Sequence, residues 1–259
     1  MTEPTEGGIG SKVLKHIPVG LVVPALAWQF RYLEPELGRL DELVSSDRGA
    51  VDVGVWWGPW TWWLARRVPK VDSFEPNLEL VARLKTVMPQ NVTLHPVALS
   101  DRMGEAELWV PSGGAGTEGR GSLEPAVRNE SGWRQQPAVT CRLDDFRLGD
   151  VGFVKIDVEG HEFAVLRGAA KLLELERPNV MVEIELRPDR PGSLDAIIEF
   201  FGDHSYRGEF LHKGRWRPIG ELDRRSTRRI ATRVARHGYV TNLLLYGRRY
   251  IHNFVFRPA

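Results

Sequence analysis

The stretch Val51-Asp52-Val53-Gly54-Val55-Trp56-Trp57-Gly58-Pro59-Trp60-Thr61 constrains the chain most. Val51 and Val53 read as the end of a buried strand. Gly54 and Gly58 carry no Cβ, so the backbone can turn sharply there and a ligand can come close. Pro59 suits the first helical position, where its missing N–H costs nothing. The helix that follows aims free N–H groups and the positive end of its dipole at whatever sits over the turn, which favours a ligand with an anionic or carboxylate end.

The glycine spacing is G-x-x-x-G, not the G-x-G-x-x-G of dinucleotide sites. Glu75 stands 21 positions after Gly54, in Val71-Asp72-Ser73-Phe74-Glu75-Pro76-Asn77. A carboxylate at the end of the second strand can accept both hydroxyls of a ribose. Alone, the turn fits any tight strand–helix junction; with Glu75 at this distance it points to nucleotide-type binding.

From Ala50 onwards strands and helices alternate. Ala50–Val53, Lys70–Phe74 and Asn91–Pro96 read as strands. Pro59–Arg67 and Leu78–Met88 read as helices, the second capped by Asn77. This β-α-β-α-β run predicts a doubly wound, mostly parallel sheet. Glu105–Val110 and Ala138–Leu143 alternate like an antiparallel pair inserted at the sheet edge, with the Gly/Ser-rich Pro111–Ser122 between them as a lid or a structureless loop. Then come a strand at Gly152–Ile156, a helix at His161–Leu175, a strand at Asn179–Ile184 and a helix at Leu194–Phe201. A hairpin follows, Gly208–His212 and Arg215–Pro218 turning at Lys213-Gly214, with a closing strand at Tyr250–Arg257. Before residue 49, Met1–Gly10 reads as a tail. Ser11–Val44 reads as short helical pieces broken at Pro18, Pro24 and Pro35, forming a cap over the core or a contact with a second copy in a homodimer.

The 259 residues are 42% hydrophobic and 27% charged, as in an ordinary globular protein. The net charge of +1 is uninformative, but from His204 to the end thirteen Lys/Arg face three Asp/Glu. Arg224, Arg225, Arg228, Arg229, Arg233 and Arg236 dominate this stretch. As a helix it sets Arg225, Arg229 and Arg233 in one row, where like charges repel and an anion would relieve them. A solvated face is the bland alternative. Lipid phosphate, a nucleotide-linked sugar or an acidic subunit surface all suit it, whereas no recognisable RNA module accompanies it. A single cysteine, Cys141, excludes an internal disulfide and fits a reducing compartment. The start lacks a signal peptide, and the apolar run Val19–Phe30 is too short to span a bilayer, so the sequence reads as cytoplasmic, with no transmembrane segment.

A second constellation lies in Phe153-Val154-Lys155-Ile156-Asp157-Val158-Glu159-Gly160-His161-Glu162. It sets carboxylates and an imidazole at the carboxyl end of a buried strand, the edge at which open α/β sheets bind ligands. Together with Asp52-Val53-Gly54, Gly58, Phe74-Glu75-Pro76-Asn77, Ala98-Leu99-Ser100-Asp101, Leu166-Arg167-Gly168-Ala169, Val182-Glu183-Ile184 and Asn253-Phe254-Val255-Phe256, it resembles the FkbM family of S-adenosylmethionine-dependent methyltransferases. Lys-Ile-Asp-Val-Glu-Gly-His-Glu is the specific part. The resemblance implies a Rossmann-like, seven-stranded class I methyltransferase domain over residues 49–259, behind a tail and helical cap at 1–48. It implies O-methylation of hydroxyls in sugars, glycolipids or polyketides, a mannose-type glycan being one such acceptor. It also implies roles. Asp52, Gly54 and Gly58 would line the methionine end of the cofactor, with Trp56 and Thr61 of the same turn among the cofactor-binding residues. Glu75 would hold the ribose with Asn77 beside it, and Val97 and Ala98 would flank the adenine. Asp157 would sit at the sulfonium and the acceptor, with Glu159, His161 and Glu183 around the acceptor pocket. The chain departs from the usual Asp-Val-Gly-Ala-Asn-x-Gly turn, because Trp56 replaces the Asn. Trp56 and Trp57 offer a stacking platform for a sugar ring, while Trp60 and Trp63 read as core.

Methyl transfer to a hydroxyl needs alignment and a base within hydrogen-bond reach. His161 is a candidate because imidazole titrates near neutrality, the alternative being that it merely opens a helix. A second route is a divalent cation. Asp157 ends one strand and Glu183 the next, so both can approach one Mg²⁺, which needs only one or two carboxylates plus water and substrate oxygens. The alternative leaves Glu183 held by a backbone or Arg partner.

Overall fold

The computed structural model describes residues 18–111, 121–123, 133–186, 193–237 and 250–259. The leading helix α1 (Val19–Leu33) is followed by a 3₁₀ turn at Leu37–Glu42. Strands and helices then alternate as β1 (Gly49–Val53), α2 (Pro59–Leu64), β2 (Val71–Phe74), α3 (Leu78–Leu84) and β3 (Val92–His95). Three strands come next, β4 (Ala98–Leu99), β5 (Gly104–Pro111) and β6 (Trp133–Cys141). The alternation resumes with β7 (Val151–Ile156), α4 (Glu162–Arg167), α5 (Ala170–Glu176), β8 (Asn179–Glu183) and α6 (Ser193–Asp203). The described chain ends with β9 (Tyr206–His212), β10 (Arg215–Pro218), α7 (Arg224–His237) and β11 (Asn253–Pro258).

Among the described residues the main sheet has eight strands, in the order β10-β9-β11-β8-β7-β1-β2-β3, where seven are expected. From β3 across to β8 every pairing is parallel. β11 runs antiparallel to β8 and to β9, so the hairpin extends the sheet. The reason is burial. Phe254, Val255 and Phe256 of β11 are shielded on both faces, and a strand so buried needs ladder partners on both edges. The hairpin turns where expected, with Lys213 at φ 49° and Gly214 at φ 74°, the paired positive φ of a two-residue turn that follows strand twist.

Side chains alternate across the strands and build a core on each face. On one, Val51, Val154, Val182 and Phe254 pack with Val165, Leu173, Ile197 and Phe201 from the helices after β7 and β8. On the other, Ala50, Phe153, Met181 and Val255 pack with Ala27, Leu37, Leu40, Trp60, Trp63 and Leu64. The segment expected as a cap thus reaches the core itself. Trp63 Nε1 donates to the Ala27 carbonyl at 2.8 Å, and Trp60 Nε1 to the Glu34 carboxylate at 2.7 Å.

Several local expectations change. Helix α1 runs through Pro24 rather than breaking there. Gly20, whose carbonyl loses its N–H partner, is exposed to solvent, and burial of Val22, Val23 and Ala27 outweighs the proline penalty. The antiparallel pair β5–β6 does not extend the main sheet. It recruits β4 into a separate three-stranded sheet, since β3 ends before Pro96, which has no N–H to carry the ladder on. The helix expected over His161–Leu175 is divided into α4 and α5. At Gly168 an added Cβ would lie 2.0 Å from the Ser100 carbonyl oxygen, so another chain segment presses against the helix there. Asp144 then caps the restart by accepting from Lys171 N and Leu172 N. The Arg-rich stretch forms helix α7, started by Asp223, whose carboxylate accepts from Ser226 N at 3.0 Å. Arg225, Arg228 and Arg229 are exposed, while Arg224 pairs with Asp195. The tail before residue 18 and the loop residues 112–120 lie outside the described residues. No described helix is long and apolar enough to cross a membrane.

Gly168→Ala forces backbone to move, and a loss of about 1–3 kcal/mol or more is expected. Gly202→Ala in α6 meets nothing within 4 Å and should gain up to about 1 kcal/mol from helix propensity. Urea unfolding of both variants checks the pair; equal effects would contradict the close approach at Gly168.

Candidate active site

Two strand ends meet in backbone contact. Gly54, at φ 84°, follows β1. A Cβ placed on it would fall 1.7 Å from the Asp157 carbonyl oxygen, just after β7. The ladder continues into both turns, as Gly54 N donates to the Phe74 carbonyl and Asp157 N to the Val53 carbonyl. Above this contact lies a cavity of about 240 Å³. Of the residues expected from the sequence, Gly54, Trp56, Glu75, Asn77, Val97, Ala98, Asp157, Glu159, His161 and Glu183 line it together.

Asp52, Gly58 and Thr61 do not line it. The space beside Gly58 is filled by the flexible end of Met88, and it is the left-handed backbone at φ 74°, not ligand approach, that requires this glycine. Asp52 and Thr61 are buried beneath the turn, with Thr61 Oγ1 donating to Asp52 Oδ2 at 2.5 Å. Trp57 is also buried, against Val22 and Leu80, which removes it from the expected stacking platform. Trp60 and Trp63 are core, as the sequence suggests.

The turn wraps around Glu75. One carboxylate oxygen accepts from Trp56 N at 3.0 Å and the other from Asn77 N at 2.9 Å. Asn77 in turn caps α3, its side chain accepting from Glu79 N and Leu80 N. Burial pushes the Glu75 carboxyl up to about 7; the two backbone N–H groups oppose this, and Asp52 and Asp157 add to it. Trp56 sits at φ 50°, a strained conformation for a bulky residue. Its ring leans on Phe30 at 5.1 Å, and its indole N–H is buried with no hydrogen-bond partner among the described residues.

Beneath the cavity runs a polar layer that the sequence hides. Asp52 stands opposite Ser73 and Lys155 in the ladder, and Glu183 opposite Asn253. Lys155 is 1% exposed and donates to Asp157 Oδ2 at 3.0 Å. Burial works against its charge, yet Asp157, Asp52, Glu34 and Glu183 together hold the ammonium more firmly protonated than an ordinary lysine. Burial pushes Asp52 up to about 6 and Glu183 well above the carboxylate range, the latter reinforced by Asp157 and Glu34. The layer holds more acids than Lys155 can neutralise. Lys155 is a residue the sequence reading left without a role; its signal is a lysine inside an otherwise apolar strand. Glu34, on the cavity wall, was likewise missed, for it lies outside both motifs.

His161 shares a 2.9 Å hydrogen bond between Nε2 and Ser100 Oγ. Ser122 Oγ donates to the Glu159 carbonyl, and Gly121 and Leu123 line the cavity, so the described end of the loop expected as a lid reaches the site. Asp157 and Glu183, the two carboxylates expected to share a cation, are close enough for the charge of one to raise the pKa of the other. Lys155 engages one oxygen of Asp157, and among the described residues the ligand-capable atoms of Glu34, Glu183 and His252 also converge.

A comparison with protein families matches the Methyltransferase FkbM domain to residues 49–208. No curated protein matches the chain. Among solved structures, a methyltransferase FkbM from Methylobacillus flagellatus KT is 14% identical with a TM-score of 0.51; the alignment covers 82% of this chain but only 44% of that one. A putative methyltransferase from Streptococcus mutans, solved with S-adenosylhomocysteine, gives 9% identity and a TM-score of 0.45, covering 87% of this chain and 97% of that one. At these identities the likeness of the first shows the fold alone.

Glu75 and Asp52 both have folded pKa values above their unfolded ones. Each binds its proton more readily when folded, so its contribution to stability is present at acid pH. That contribution is lost as pH rises through about 6 for Asp52 and about 7 for Glu75. Glu75→Gln cannot ionise. Relative to wild type, its unfolding free energy should rise on the order of 2 kcal/mol between pH 5 and pH 8, whatever its offset at pH 5. Urea titrations at the two pH values measure this, and a difference that stays constant contradicts the buried-acid assignment.

Proposed function

The chain belongs to the FkbM methyltransferase family, and from that membership we propose that it transfers a methyl group from S-adenosylmethionine to a sugar hydroxyl of an oligosaccharide or glycolipid. The observation that carries this reading is the Gly54–Asp157 contact, which joins a ribose-type carboxylate and a group of acids with an imidazole in one cleft.

The residues fit the cofactor. Each Glu75 oxygen accepts one backbone N–H and keeps lone-pair capacity for ribose hydroxyls. The buried Trp56 indole N–H offers an unused donor at the cavity wall. Val97 and Ala98 supply apolar surface for a flat base. The carboxyl groups gathered around Asp157 suit a sulfonium cation, whose charge would favour their ionised forms. When bound, S-adenosylmethionine supplies a methyl carbon already activated by that charge.

The chain's own task is then alignment and proton removal. Asp157 is held by Lys155, so it orients rather than wanders. His161 is held by Ser100 at the cavity edge, which places its imidazole where a base for the acceptor hydroxyl is needed. The half-buried Trp56 leaves an aromatic surface in the cavity for a sugar face. The exposed arginines of α7 suit a lipid phosphate or nucleotide attached to that sugar.

Radiolabelled methyl transfer to a panel of saccharides and glycolipids tests the proposal. Transfer to at least one saccharide is expected. His161→Gln should cut kcat by about 10²–10⁴-fold while S-adenosylhomocysteine affinity holds. Transfer only to RNA, or to no saccharide at all, contradicts the substrate class, and unchanged kcat in His161→Gln contradicts the base.

A further inference from the structure

We propose that Glu34, Glu183 and His252 form a site for one first-row divalent metal ion, of the Mn²⁺ or Zn²⁺ kind, in the wall of the cleft. The ligand-capable atoms of these residues lie within 4.8 Å of one another. They come from the end of α1, the end of β8 and the start of β11, so the fold alone brings them together. Glu34 and His252 also lie outside the segment that matches the family.

Each ligand is oriented from behind. His252 Nδ1 lies 3.0 Å from the Tyr250 carbonyl, which can only accept, so Nδ1 carries the proton and Nε2 is the nitrogen with the lone pair. A ring N–H donated to a backbone carbonyl is the usual support for a metal-bound imidazole. Trp60 Nε1 donates to one oxygen of Glu34, leaving its other oxygen. Glu183 is fixed by its ladder place, with Ile184 N donating to the His252 carbonyl at 2.7 Å.

A second observation is independent of these. Asn253 stands opposite Glu183 in the β8–β11 ladder, so the two side chains leave the sheet on the same face. Asn253 is 1% exposed, and neither its amide oxygen nor its amide nitrogen has a hydrogen-bond partner among the described residues. A buried amide without partners costs free energy unless a ligand or bound water meets it. The surrounding charge agrees. Glu34, Glu183, Asp157 and Asp52 gather around the buried cation Lys155, already engaged by Asp157.

The imidazole sets the choice of ion. Mg²⁺ prefers oxygen ligands and holds its waters, whereas two carboxylates and an imidazole suit Mn²⁺, Fe²⁺ or Zn²⁺. Glu34 and Glu183 line the cavity, so an ion held by them would be within reach of a ligand there. An acceptor oxygen bound there would lose its proton more readily. That catalytic role rests on the methyl-transfer reading; the ion site does not.

The test therefore uses no donor and no acceptor. Chelator-treated full-length protein is titrated with Mn²⁺ followed by electron paramagnetic resonance, and with Zn²⁺ by calorimetry. One equivalent should bind, and pulsed spectra of the Mn²⁺ complex should show coupling to one imidazole nitrogen. Glu183→Gln and His252→Gln should each weaken binding at least tenfold, while Asp101→Asn should not. Circular dichroism and S-adenosylhomocysteine binding report whether the variants stay folded. No stoichiometric binding to wild type, a complex without nitrogen coupling, or folded variants that bind as wild type would overturn the site. Loss of methyl transfer with intact metal binding would count against the proposed function only.

Discussion

The whole site depends on one close approach, the α-carbon of Gly54 lying against the carbonyl of Asp157. Neighbouring parallel strands hold their axes about 5 Å apart, but the turns that leave them diverge unless one lacks a side chain. Here the β1 turn folds back at φ 84°, into space that any other residue would fill. The consequence is positional. Glu75 from the next strand and the acids and imidazole after β7 face one cavity instead of two. The same crowding explains the strain: Trp56 and Glu159 both take left-handed φ values beside the contact, conformations that persist because their surroundings hold them.

The layer just below makes that geometry costly. Ser73, Asp52, Lys155, Glu183 and Asn253 lie on one face of the sheet, at the level where the strands end. Burying such groups destabilises a fold unless they are paired, and pairing here is incomplete, for one oxygen of Asp52 and both amide atoms of Asn253 lack partners among the described residues. Replacement by apolar residues would suit a purely structural core better. A polar stratum confined to the ligand edge of the sheet, over apolar packing such as Phe153, Met181 and Val255, fits a site that must hold a cation or polarise a bound group.

Much of this was legible from residues that act through local rules. The glycine turn, the Asn77 cap, the Lys213-Gly214 hairpin and the Asp157–His161 run each depend on neighbours within a few positions, and the parallel alternation follows from their order. What stayed hidden depends on partners far along the chain. Pro24 reads as a break because the packing of its neighbours Val22, Val23 and Ala27 is invisible locally. Gly168 reads as helix interior because Ser100, which crowds it, is distant in sequence. Gly58 reads as a ligand-facing glycine, although Met88 fills the space beside it. Glu34 and His252 sit in unremarkable surroundings at opposite ends of the chain; the end of α1 brings one beside Glu183 and the β8–β11 pairing the other. The family membership adds the chemistry that the geometry alone leaves general.

The most direct measurement is a crystal structure of the protein grown with S-adenosylhomocysteine. The account predicts density for the ligand above the Gly54–Asp157 contact, with its ribose hydroxyls on the Glu75 carboxylate and its sulfur towards Asp157. Ligand bound elsewhere, or in that cleft with the ribose turned away from Glu75, would contradict it.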